Sequence, residues 1–63
     1  MVEITFDGTE KSILKIIENL RSTDATAFIC RGNSIQFGTP NGAKQVFIGD
    51  TVVIEEENVW VED

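Results

Sequence analysis

Sixty-three residues with a formal net charge of −6 leave room for one domain (residues 1–63) and little more. Hydrophobic residues make up 41% and charged residues 25%, which is ordinary for a globular chain and argues against intrinsic disorder. A single cysteine, Cys30, rules out an intramolecular disulfide, and the absence of histidine removes the commonest general base and the commonest zinc ligand.

The chain opens on an alternation. Val2, Ile4 and Phe6 point one way and Glu3 and Thr5 the other, so Val2–Phe6 reads as a half-buried strand that Asp7-Gly8 breaks. Thr9 is a good N-cap for a helix running to Leu20 or Arg21, with Glu10 in the first turn where a negative charge suits the helix dipole. Ile13, Ile16, Ile17 and Leu20 recur at helical spacing with Leu14 beside them, forming one apolar stripe. Ser22, Thr23 and Asp24 form the exit loop.

Strands follow. Ala25–Cys30 is apolar on both faces, as expected of a more central strand, and Arg31-Gly32-Asn33 turns it into a hairpin partner at Ser34–Phe37. Thr39-Pro40-Asn41-Gly42 places proline where a type I turn wants it and leads into Ala43–Ile48. Gly49-Asp50 interrupts again before Thr51–Glu55, and Glu56-Glu57-Asn58 turns into Val59–Val61. The order predicts an α+β fold: one α-helix packed on a twisted antiparallel sheet of four to six short strands in a meander, or alternatively a partly closed small barrel.

Charge is placed unevenly. Residues 1–49 carry five acids and five bases, whereas residues 50–63 carry six acids (Asp50, Glu55, Glu56, Glu57, Glu62 and Asp63) and no base. Direct binding to nucleic acid or to an anionic membrane surface is therefore not expected, because both rest on clustered Lys and Arg. The start Met1-Val2-Glu3 carries no basic stretch and no apolar run of signal length, and the longest apolar runs are far too short to span a bilayer.

Catalytic constellations are hard to assemble from these residues. Cys30 beside Arg31 could be a thiolate held by a cation, but adjacent strand residues face opposite sides, and a small buried hydrophobe is the expected role. Glu55-Glu56-Glu57 at a hairpin tip is solvated, without the desolvated partner that carboxylate acid-base chemistry needs. No Asp-x-Asp spacing with a turn glycine suggests Ca²⁺, and the five glycines punctuate turns instead of cradling phosphate. No enzyme activity, cofactor or metal is expected. Trp60 has two open readings: it caps the core at a sheet edge, or it faces outward from an acidic rim as an interface anchor.

The pattern of Val2–Phe6, Gly8-Thr9, Ile13–Leu20, Thr39-Pro40-Asn41-Gly42 and Gly49-Asp50-Thr51-Val52-Val53 resembles a group of small proteins encoded by bacteriophages and prophages. It departs from them at Glu57-Asn58-Val59-Trp60, where they continue with a Gly-Glu-x-Tyr stretch. The resemblance implies a place in the bacterial host cytoplasm and brings no catalytic residues with it.

Marginal size without staples points to a structural or protein-interaction module that self-associates as a homodimer or higher oligomer. The second expectation is an acidic inhibitor or nucleic-acid mimic that docks on a basic host protein. Trp60, Asp50, Glu55, Glu56, Glu57 and Glu62 are the candidate partner-binding residues.

Overall fold

The computed structural model describes residues 1–63, Ala27 by its backbone alone. Among the described residues there are one helix and six strands: β1 (Val2–Thr5), α1 (Glu10–Leu20), β2 (Thr26–Arg31), β3 (Ser34–Thr39), β4 (Gly42–Phe47), β5 (Thr51–Glu55) and β6 (Asn58–Glu62). The helix is too short to cross a membrane.

The helix starts where its cap dictates. Thr9 is extended, and its Oγ1 accepts from the Ser12 N–H at 3.2 Å, satisfying one of the donors a helix start leaves unpaired. Asp7 reinforces the cap, its Oδ1 accepting from both the N–H and the hydroxyl of Thr9. At the other end the N–H and hydroxyl of Thr23 both donate to the Leu20 carbonyl, which stops the helix. Ile16 and Leu20 are fully buried and Ile13 packs against the same cluster, while Leu14 lies outside the stripe and is exposed.

The Asp7 contacts carry a pH signature. The Thr9 hydroxyl, then the Thr9 N–H, hold the Asp7 carboxyl down at about 2, below its ordinary 3.8. The folded value is the lower one, so this contribution to stability is complete above about pH 4 and is lost as pH falls toward 2. In urea unfolding the gap between the wild type and Asp7→Asn is expected to narrow between neutral pH and about pH 2. A gap of constant size would show that the carboxylate does not anchor the cap.

The strands divide into two three-stranded antiparallel sheets, ordered β1-β5-β6 and β2-β3-β4. This corrects the expectation of one meandering sheet, and the strands do not close into a barrel. The expected hairpins β2–β3, β3–β4 and β5–β6 all form. The first of these turns through Gly32-Asn33, with Gly32 at φ +57°, the positive value a two-residue turn of type II′ requires at its first position.

Phe47–Asp50 is where the chain leaves one sheet for the other. The Asp50 N–H donates to the Phe47 carbonyl, and Asp50 Oδ2 accepts from the Phe47 N–H at 3.1 Å. The Gly49 N–H donates to the Phe6 carbonyl and the Phe6 N–H to the Asp50 carbonyl, so this turn is tied to the end of β1. β5 then pairs with β1, Val2 opposite Ile54 and Thr5 opposite Thr51, and not with β4.

The core lies between the inner faces of the two sheets and α1. Ile4, Val52 and Ile54 come from the first sheet, Ile35, Phe37 and Val46 from the second, and Ile16 and Leu20 from the helix. Two further expectations are corrected by strand order. β2 is an edge strand, not a central one, and Cys30 on it is exposed, not buried. A single helix cannot cover both sheets to their margins, and Cys30 sits at an uncovered one.

Candidate functional site

Three surface features have enough organisation to act on something outside the chain: the outer face of each sheet, and a cleft at one end of the molecule. On the outer face of β1-β5-β6, the register sets Glu3, Val53 and Trp60 in one row and Thr5, Thr51 and Glu62 in the next, with Glu55 opposite Asn58 beyond them. Val53 is only 1% exposed although it points away from the core. Trp60, half-buried, is the large side chain in register beside it. Its indole Nε1–H donates to Glu62 Oε1 at 3.0 Å, which fixes the ring's orientation. Of the two open readings of Trp60, the outward one matches its place: it lies on the outer face beside Val53 and outside the core cluster.

The six candidate residues do not form one patch. Glu55, Glu56 and Glu57 gather at the tip of the β5–β6 hairpin, while Asp50 and Glu62 lie at its open end. Five residues of strand at about 3.4 Å each separate the two groups by roughly 17 Å, about two screening lengths at physiological salt. Asp50 is also partly committed to the backbone of its own turn. Trp60 stands between the two groups, its carboxylate partner drawn from the open end.

The outer face of β2-β3-β4 is different in kind. Its rows run Thr26–Gly38–Ala43, Ile29–Gln36–Gln45 and Arg31–Ser34–Phe47. Among the described residues of this face Arg31 alone is charged, and it sits at a corner. Ile29 is 43% exposed and Phe47 is 47% exposed. None of these residues stood among the sequence candidates. The available signal was the alternation Ala43-Lys44-Gln45-Val46-Phe47, which turns Phe47 to the side of Gln45 once Val46 is assigned inward.

The end cleft, of about 410 Å³, lies where three connections converge: Thr23–Ala25 after the helix, Thr39–Asn41 between β3 and β4, and Glu57–Trp60 at the start of β6. A shallower one of about 260 Å³ runs between β1 and the helix, with Glu3, Asp7, Lys11 and Lys15 on its walls. Among the described residues no group of three or more Cys, Asp or Glu side chains is arranged to hold a metal ion. No model of a known protein family, no curated protein and no solved structure matches this chain.

Proposed function

We propose that this chain is a non-catalytic interaction module that works as a self-associated unit, two copies meeting through the outer face of β2-β3-β4. The observation that supports this is charge segregation. A chain of net charge −6 carries no acid in the three register rows of that face, and displays Ile29 and Phe47 there. Copies approaching through the other sheet would bring Glu55 and Glu62 against their own images, Glu3 sharing its cleft with Lys11 and Lys15, whereas approach through this face removes apolar surface from water at little electrostatic cost. An isologous pair offers the same patch twice, which a flat face with small residues at Gly38 and Ala43 accommodates.

Three strands of six residues span about 14 by 20 Å, a small interface by the standards of stable dimers, so association in the micromolar range is the natural outcome. Sedimentation equilibrium from about 10 to 500 µM brackets that range. Phe47→Glu is expected to weaken association at least tenfold. Leu14→Glu, at an equally exposed apolar position on the helix, is expected to leave it unchanged. A wild-type protein that stays monomeric throughout would remove this reading.

A second reading, docking on a basic partner, is favoured by the strands β1, β5 and β6, which contain Glu3, Glu55 and Glu62 and no Lys or Arg. The two-ended distribution of acids gives a nucleic-acid mimic less support than a local contact. A phage or prophage origin and a place in the host cytoplasm belong with either reading.

A further inference from the structure

The end cleft combines features that neither sheet face has. Its charged walls among the described residues are Asp24 and Glu57, both acidic, and its apolar ones include Trp60 and Pro40. The walls are held by local hydrogen bonds. Thr23 Oγ1 donates to the Leu20 carbonyl and accepts from the Ala25 N–H, and Thr39 Oγ1 donates to the Gly42 carbonyl and accepts from the Asn41 N–H. Both threonine hydroxyls are therefore occupied within their loops. The Trp60 nitrogen is likewise taken by Glu62, so what the indole can offer a ligand is its ring.

An aromatic ring with two carboxylates and no base among the lining residues selects for a cation and against an anion. Among side-chain cations, a guanidinium suits it best: it is planar, stacks on an indole, is weakly hydrated, and presents a fork of donors to carboxylates. The volume is at the low end for ligand sites, suited to one side chain and not to a bulky cofactor. We propose that this cleft receives an arginine side chain from a protein partner, its guanidinium against the Trp60 indole and within reach of Asp24 and Glu57. The site shares no residue with the self-association face, so the two can succeed or fail separately.

The test uses the full isotopically labelled chain and three short blocked peptides, with arginine, lysine or citrulline between glycines. Citrulline keeps the shape of arginine and removes its charge. The arginine peptide is expected to bind saturably at millimolar affinity, typical of a single side chain, shifting the Trp60 indole N–H and the amides of Asp24, Asn41 and Asn58. The citrulline peptide is expected to bind at least tenfold more weakly, and the lysine peptide several-fold more weakly. The double substitution Asp24→Asn with Glu57→Gln is expected to cost the arginine peptide at least tenfold, while the rest of the amide spectrum shows the fold intact. Equal binding of citrulline, equal binding of lysine, an unaffected double variant, or shifts spread evenly to Glu3 and Glu18 would each overturn the assignment.

Discussion

Phe37→Ala is expected to remove about half or more of the chain's stability, roughly 3–5 kcal/mol. Phe37 has no exposed surface, and its ring lies 6.4 Å from that of Phe28 at a tilted angle, so truncation removes both burial and an aromatic pair. Phe→Ala in a core costs about 3–5 kcal/mol. At about 0.05–0.15 kcal/mol per residue, the 63-residue chain has roughly 3–9 kcal/mol in all. The loss is thus more than half of the whole at the centre of these ranges. Phe47→Ala is the matching control: the same residue type on the next strand but half-exposed on the outer face, where the cost to the monomer is expected to stay below about 1 kcal/mol. Urea unfolding followed by far-UV circular dichroism separates the two. A Phe37→Ala midpoint close to that of the wild type would mean that the core is not centred on this ring.

The helix and the hairpins were legible because each is specified within a few residues. Thr9 and the Ile13-Ile16-Leu20 stripe determine the helix, and Gly32-Asn33 and Pro40-Asn41 specify tight connections whose flanking strands have only each other within reach. The division into two sheets was not legible in the same way. Pairing β1 with β5 closes a loop of more than forty residues, and no local signal encodes it. Gly49-Asp50 reads as one more hairpin turn, but its backbone partners include Phe6, far earlier in the chain. One usable clue was present. Val52-Val53-Ile54 is apolar on both faces, so β5 had as good a claim as β2 to be a central strand; a central strand needs a second neighbour, and β1 was the strand left without one.

The candidate site was legible in its residue types and not in its arrangement. Charge counting identified the acids of residues 50–63 correctly as the source of the net charge, but the two ends of a hairpin are adjacent in composition and far apart in space. Asp50 illustrates the difference: a carboxylate in an acidic segment, it accepts a backbone N–H that shapes the passage between sheets. The cleft was out of reach for the same reason. Asp24, Pro40 and Glu57 come from three separate connections, and only the tertiary fold places them around Trp60.

Two backbone positions of positive φ are both expected to favour hydrogen over a side chain. Gly8 stands at φ +84°, just before the helix cap, and a Cβ built there would lie 2.8 Å from Ile48 Cδ1. The Ile48 side chain is exposed and can swing aside, so the dihedral carries most of the cost, about 1–2 kcal/mol, with displacement of Ile48 added to it. Gly8→Ala is accordingly expected to destabilise by about 2 kcal/mol. Glu56, at φ +56° in the β5–β6 turn, already bears that strain with a side chain that gains nothing from it. Glu56→Gly is expected to stabilise by about 1 kcal/mol, which in a domain of this size raises Tm by roughly 4–8 °C. Removing one charge from three adjacent glutamates would also help, and Glu56→Gln isolates that contribution: it deletes the charge and keeps a side chain at the same positive φ. If Glu56→Gln raises Tm as much as Glu56→Gly, the gain comes from charge relief; if Glu56→Gln leaves Tm near the wild-type value while Glu56→Gly raises it, it comes from the backbone.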